Sequence, residues 1–215
     1  MVHQMTRRST MYDKDQFRLR NYANDNPVIK VLMKNFINKI DASLHGIHGQ
    51  QLFGLDAGCG EGHMLSVLTR MGAIEKMAAV DIRMDHLTYA KKFGPAFNYM
   101  RGDLYMLGFK DHVFDFIICT EVLEHLPDPA LAMKEFSRVA KPEAHFIVSV
   151  PFEPFFTWGN IVRGKYWERG GRTPYHCNFW KKTEFKKFIA SYIDICSCYS
   201  FMTFPWLLFY GKFQF

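Results

Sequence analysis

Between Leu55 and His63 the chain reads Leu-Asp-Ala-Gly-Cys-Gly-Glu-Gly-His, with three glycines at alternate positions behind an aspartate. Glycines so spaced permit a tight turn through positive φ and let a ligand come close to the backbone, which makes Gly58, Gly60 and Gly62 a candidate cradle. Two more carboxylates follow apolar runs: Asp81 after Met77 to Val80, and Asp103 after Phe97 to Met100. An acidic side chain at the tip of the second strand can accept hydrogen bonds from both hydroxyls of a ribose. One on the next segment suits the exocyclic amine of adenine. A third group is Glu121, Glu124 and His125, at i, i+3 and i+4, which a helix after the fourth strand would bring to one face. With His176 they make a hard-to-borderline donor set for Mg²⁺, Mn²⁺ or Zn²⁺. His125 and His176 also suit the removal or orientation of a hydroxyl proton near neutral pH, with packing as the other use of either ring. For His3, His45, His48 and His112, packing is the expectation.

These groups need a scaffold, and the apolar pattern supplies one. Short runs at Leu52 to Leu55, Met77 to Val80, Phe114 to Cys119 and Phe146 to Val150 alternate with helical segments. Parallel strands buried on both faces read this way. Asp128-Pro129 predicts a capped helix through about Val139, ending before Lys141-Pro142. Another helix is predicted after Thr183, with Phe185, Phe188, Ile189 and Tyr192 on one stripe. Ahead of the sheet, Asn26-Pro27 begins a helix with Ile29, Leu32, Met33, Phe36, Ile37 and Ile40 at helical spacing. The alternation predicts a doubly wound α/β sheet with its ligand at the carboxyl ends of the strands.

Composition agrees with one globular domain. The chain has 215 residues, 48% of them hydrophobic and 22% charged, which excludes disordered and collagen-like architectures. The longest apolar candidate for a membrane span, Phe201 to Tyr210, is short and broken by Pro205. The polar, arginine-bearing start shows no secretory signal, and a cytoplasmic location is the expectation. Five cysteines without a CxxC pair argue for reduced thiols; Cys196 and Cys198, two apart on a predicted strand, are expected to share a face. The net charge of +6 is uneven. Residues 51–150 are slightly acidic and both flanks are basic, which suits an anionic small molecule or RNA at the mouth of a site, or a solvated surface.

The ligand question narrows on charge. A dinucleotide diphosphate would be repelled by Glu61 in the loop, whereas S-adenosylmethionine has no phosphate and carries a cationic sulfonium. At this point the chain resembles the class I S-adenosylmethionine-dependent methyltransferases, of the type 11/12 kind, on LDAGCGEG at 55–62, AVDI at 79–82, RGDL at 101–104, FDFIICTEVLEHL at 114–126 and VSVP at 148–151. The resemblance implies a Rossmann-like sheet of seven strands with the last antiparallel, 193–199 and 206–213 being the candidates for strands six and seven. It implies that Gly58, Gly60 and Gly62 cradle the methionine portion, with Asp56 supporting the loop. It further implies that Asp81 holds the ribose, that Asp103 meets adenine, and that Ile82 and Leu104 flank the ring. Where the family usually has Pro-Gly-Gly before strand five, this chain has Lys141-Pro142-Glu143-Ala144, which leaves the shape of that turn open. The string EVLEH also resembles the metal-binding motif of small-RNA 3′-terminal 2′-O-methyltransferases and of ubiquinone-pathway O-methyltransferases.

The connection from Phe152 to Lys182 is too long for an ordinary loop in such a fold. It interleaves aromatic residues with Arg163, Lys165, Arg169 and Arg172, which fits a substrate cover or a small satellite core. The reading is therefore a single methyltransferase domain with an N-terminal helical cap (1–50), a cofactor-binding core (51–151), a cover (152–182) and a C-terminal helix and strands (183–215). Its expected activity is O-methylation of a small or amphipathic anionic molecule. The alternatives are a metal-dependent RNA 3′-end 2′-O-methyltransferase and a noncatalytic adenosine-binding module.

Overall fold

The computed structural model describes residues 27–45, 47, 52–200, 203 and 205–214. Its order is helix α1 (Pro27–His45), β1 (Phe53–Ala57), α2 (His63–Arg70), β2 (Lys76–Asp81), α3 (Met84–Phe93), β3 (Asn98–Arg101), β4 (Phe114–Thr120), α4 (Pro129–Val139), β5 (Ala140–Pro151), α5 (Phe155–Val162), α6 (Lys182–Ile189), β6 (Ile193–Tyr199) and β7 (Trp206–Phe213). The strands form one sheet in the order β3-β2-β1-β4-β5-β7-β6. Strands β1 to β5 pair in parallel, while β7 runs antiparallel to both β5 and β6. The strand order reverses between β1 and β4, and that crevice is where a ligand fits in such a sheet.

The continuous apolar runs are explained by burial on both faces. On one face, α1, α2 and α3 cover Met77, Ala79, Phe116, Ile118 and Leu208. On the other, α4 and α6 cover Leu55, Ala78, Ile117, Phe146 and Phe209. Pro129 opens α4, and the Asp128 side chain accepts from the N–H groups of Ala130 and Leu131 at 3.1 and 3.3 Å, a cap worth about 1 kcal/mol. The helix predicted at Asn26-Pro27 begins at Pro27; Asn26 itself, His3 and His48 lie outside the described residues, as does the rest of the N-terminal cap before Pro27.

Two local expectations give way, on Cys196 with Cys198 and on the path after β4, and the turn before β5, left open by the sequence, takes a definite form. The strand β6 bulges between Ile195 and Ser197, so Cys196 and Cys198 do not share a face: Cys196 is exposed and Cys198 packs against the core. The Lys141-Pro142-Glu143-Ala144 turn is absorbed into β5, with Glu143 at φ 61 in the left-handed region where glycine is the usual residue. After β4 the chain makes only a 3-10 turn, Leu123–His125, rather than a helix. No helix of the described residues is long and apolar enough to cross a membrane.

Candidate active site

The glycine loop sits at the carboxyl end of β1, folded back onto β2. The N–H groups of Gly58 and Cys59 both donate to the Val80 carbonyl, at 2.8 and 3.0 Å. Gly58 has φ 84, and a Cβ there would lie 2.4 Å from Val122 Cγ2, so both conformation and space demand glycine. The contact also sets the loop directly against the segment that follows β4. Gly60, at φ 54, has no atom nearer to such a Cβ than His86 Nδ1 at 4.0 Å, which leaves open space over its backbone.

Asp81 ties the loop down. Its two oxygens accept from the N–H groups of Gly60, at 2.9 Å, and Arg83, at 2.8 Å. The carboxylate keeps free lone pairs for a ribose, but its first role is to anchor the loop. Beneath it, Asp56 is 3% exposed and its Oδ2 has no hydrogen-bond partner. Burial, and then the charge of Asp81, push its carboxyl up to about 7. An unpartnered carboxylate oxygen beside a second carboxylate suits a cation and repels a phosphate, so the donor set fits an adenosine cofactor bearing an ammonium and a sulfonium. Ile82 and Met106 are exposed at 59% and 79%, free to lie against a flat ring. Asp103 is exposed and accepts from the Tyr105 N–H at 2.9 Å. Leu104, expected to flank that ring, instead buries its side chain in the core.

The opposite wall is built from β4 and the long connection. Its chain is pinned to the 3-10 turn: the N–H groups of Cys177 and Asn178 donate to the Glu124 carbonyl at 2.7 and 3.0 Å. The Asn178 side chain donates to the carbonyls of Leu123 and Leu126 at 3.2 and 2.7 Å. This clamp brings His176 edge-on to His125, with ring centroids 4.8 Å apart. His125 Nδ1 lies 2.9 Å from the Tyr175 carbonyl; a carbonyl only accepts, so Nδ1 carries the proton and Nε2 offers its lone pair. Burial holds the His125 pKa below its usual value against the Tyr175 bond, and burial together with His125 brings His176 down to about 3. Both rings are neutral at pH 7. His176 in this setting is a hydrogen-bond acceptor or a ligand far more than a base.

Glu124 is 1% exposed, and neither of its carboxylate oxygens has a hydrogen-bond partner; burial and then Glu121 raise its pKa well above the usual value. Donor atoms of Glu124, His125 and His176 lie within 4.8 Å of one another. Glu121, expected with them, is not in this group. At φ 58 it leaves the helical path, and its carboxylate accepts from Ser149 Oγ at 3.1 Å and Trp206 Nε1 at 2.7 Å. Burial lifts its pKa to about 8 against these two bonds.

Of the cover's cations, Arg163 bonds back to Gly159 and Asn160 of its own helix, and Arg172 lies over the Phe179 ring at 4.9 Å. Sequence reasoning missed three residues here: His86, whose buried Nδ1 makes no hydrogen bond and stands 3.7 Å from Asp81 Oδ1; Asn178, which clamps the cover; and Trp206, which holds Glu121. His86 lies in the first turn of α3, which starts three residues after Asp81 ends β2, a closeness in sequence that offered the signal. The other two partners are distant in sequence and leave no local signature.

Comparison with known proteins agrees with this fold. Residues 55–148 match the family described as a methyltransferase domain. The ubiquinone biosynthesis O-methyltransferase of Pseudoalteromonas translucida is 34% identical over 100 residues, covering 44% of this chain and 42% of that protein. That of Alkalilimnicola ehrlichii is 32% identical over 111 residues, 49% of this chain and 43% of that one. The chain thus spans less than half the length of the curated relatives it matches. Among solved structures, a protein of Pyrococcus horikoshii superposes with a TM-score of 0.66 at 21% identity over 92% of this chain and 96% of that one. An S-adenosylmethionine-dependent methyltransferase of Aquifex aeolicus gives 0.60 at 20% identity over 85% and 98%.

Proposed function

We propose that this chain, whose residues 55–148 match a methyltransferase domain family, is a class I S-adenosylmethionine-dependent methyltransferase that methylates a hydroxyl oxygen of a small or amphipathic acceptor. The observation that carries this reading is the contact of Val122 with Gly58, which sets a loop suited to the cofactor against the segment bearing His125. When bound, S-adenosylmethionine supplies an electrophilic methyl group on a cationic sulfur. The chain's part is then alignment and exclusion of water. Asp81 holds the loop and offers lone pairs to the ribose. Asp56 and Asp81 balance the cofactor's positive charge. His125 Nε2, with Nδ1 fixed by the Tyr175 carbonyl, accepts the acceptor's hydroxyl proton or orients it, and His176 fixes the ring edge-on. The relatives named for ubiquinone biosynthesis make hydroxylated compounds of that pathway the first acceptors to try. Incubation with S-adenosylmethionine bearing an isotopically labelled methyl, followed by mass spectrometry of the acceptor, tests the reading; absence of label from every hydroxylated acceptor, with cofactor binding intact, refutes it.

A second reading is favoured by the unpartnered Glu124 oxygens beside two neutral imidazoles. Glu124, His125 and His176 would hold Mg²⁺, Mn²⁺ or Zn²⁺, whose Lewis acidity lowers the pKa of a coordinated hydroxyl. Glu121 has no part in it. Chelation followed by restoring one metal at a time tests this, and undiminished turnover of verified metal-free protein eliminates it. The basic flanks support an anionic acceptor, for which KM rises moderately with salt. An RNA acceptor gives a far steeper dependence through counterion release.

A further inference from the structure

Among the described residues, four of the thirteen exposed large apolar side chains fall in one short stretch of the cover: Phe155, Trp158, Val162 and Trp167, at 37, 56, 86 and 67% exposure. The first three recur at i, i+3 and i+7 along α5, so they line one outward stripe of the helix. The next turn folds back beneath the helix and is fixed there. Asn160, 3% exposed, donates through its side chain to the Gly171 carbonyl at 3.0 Å and accepts at its own carbonyl from the Lys165 N–H at 2.8 Å. This loop carries exposed Arg163, Lys165, Arg169 and Arg172 against a single exposed carboxylate, Glu168. On the inner side of the same helix, Phe156 stacks on His176 at 5.6 Å.

We propose that this outward stripe of α5, with Trp167 and the surrounding cations, docks the protein on the surface of an anionic lipid bilayer. Indole rings favour the headgroup level of a bilayer, where one edge is apolar and the other wet. A short apolar stripe flanked by arginine and lysine lies in the interface rather than crossing it, and α5 has only eight residues. Each cation near an anionic leaflet strengthens adsorption about fivefold. A bilayer surface can receive an exposed helix stripe as it stands, whereas a peptide or helix partner needs a groove or a free strand edge. Because the inner face of α5 touches His176, a protein so docked holds its cover between the bilayer and the site. That orientation suits the amphipathic acceptor of the proposed function, and this last clause rests on that reading; the lipid binding itself does not.

The test is sedimentation of the full chain with vesicles of phosphatidylcholine alone and with phosphatidylglycerol added. The protein should pellet with the anionic vesicles and release as salt is raised. Trp158→Ser with Val162→Ser should weaken binding at least tenfold, and Arg169→Glu about tenfold or more, while calorimetry shows S-adenosylhomocysteine bound as in wild type. Should the serine variants fail to fold, Trp158→Phe provides the second measurement: brominated acyl chains should quench wild-type fluorescence and quench the variant's less. Wild-type protein left in the supernatant, equal binding by the variants, or substitutions that dissolve only a self-association or a protein complex would each overturn the proposal. Vesicle binding needs no cofactor and methyl transfer in solution needs no vesicle, so failure of one leaves the other standing.

Discussion

Replacing Asp81 with alanine tests the arrangement at its most connected point. Its carboxylate accepts from Gly60 and Arg83 at 2.9 and 2.8 Å, and its side chain is only 12% exposed, so solvent screens these bonds little. A hydrogen bond to a charged group contributes about 1.5–3 kcal/mol. The variant loses two in the free protein and, in the complex, those offered to the ribose. The loop must then be ordered at the expense of cofactor binding. A loss of about 3 kcal/mol in affinity corresponds to roughly a hundredfold rise in Kd. One effect opposes this: without the Asp81 charge, the Asp56 carboxyl falls back from about 7 and ionises more fully beneath the cofactor's cation. Asp81→Asn keeps one oxygen as acceptor and should cost about tenfold, being half of the bonds. The assay is calorimetric titration with S-adenosylhomocysteine, paired with a melting curve to show the fold intact. Equal Kd for wild type and Asp81→Ala would refute both the anchoring argument and the ribose assignment.

Further expectations follow from the same geometry. Asp56 has its folded pKa raised above its unfolded value, so its contribution to stability is present below about 3.8 and is lost as pH rises through about 7. Asp56→Asn should therefore gain in melting temperature relative to wild type between pH 4 and 7, and a constant difference across that range would contradict the assignment. The folded pKa of His176 is depressed from 6.5 to about 3, so stability falls as pH drops through that window; His176→Phe should flatten this acid limb, seen by melting at pH 4 to 7. Asn178→Ala leaves the Leu126 carbonyl without its side-chain partner and frees the cover, so about 1–3 kcal/mol of stability and most of the turnover should go, while S-adenosylhomocysteine binding, measured by calorimetry, changes little. His86→Ala removes the imidazole beside Asp81 and Gly60, and its effect should appear in cofactor Kd rather than in acceptor KM.

Much of the scaffold was legible because interior parallel strands must be apolar on both faces. Met77 to Val80 and Phe114 to Cys119 allow few other uses, and β6 and β7 lie at 193–199 and 206–213 as read from the sequence. The glycine loop was legible for a local reason too, since its conformation is written in its own residues. What sequence could not supply was the path after β4. A helical period there aligns Glu121 with Glu124 and His125, but the chain enters a left-handed residue and then a 3-10 turn, which rotates Glu121 towards Ser149 and Trp206. The competing interaction comes from β5 and β7, far along the chain, and no local spacing encodes it. The same holds for Cys196, displaced by a bulge, and for Leu104, whose apolar side chain finds the core a better partner than the rim.

Glu121 nonetheless has a structural consequence. Phe36 of α1 packs on Trp206 with centroids 5.1 Å apart, Trp206 donates to Glu121, and the Glu121 N–H donates to the Ser149 carbonyl at 3.1 Å. The next residue, Val122, fills the space that glycine leaves at position 58. Helix α1 and the antiparallel β7 are thus braced against the segment after β4, which meets the glycine loop through Val122 and carries His125. A rigid brace at that point matters to the proposed methyl transfer, which depends on alignment of three atoms along a line and asks little covalent chemistry of the chain to compensate for a poor angle. By this logic the buried carboxyl of Glu121, lifted to about 8 and outside the group that Glu124, His125 and His176 form, serves by fixing Val122 and not as a metal ligand.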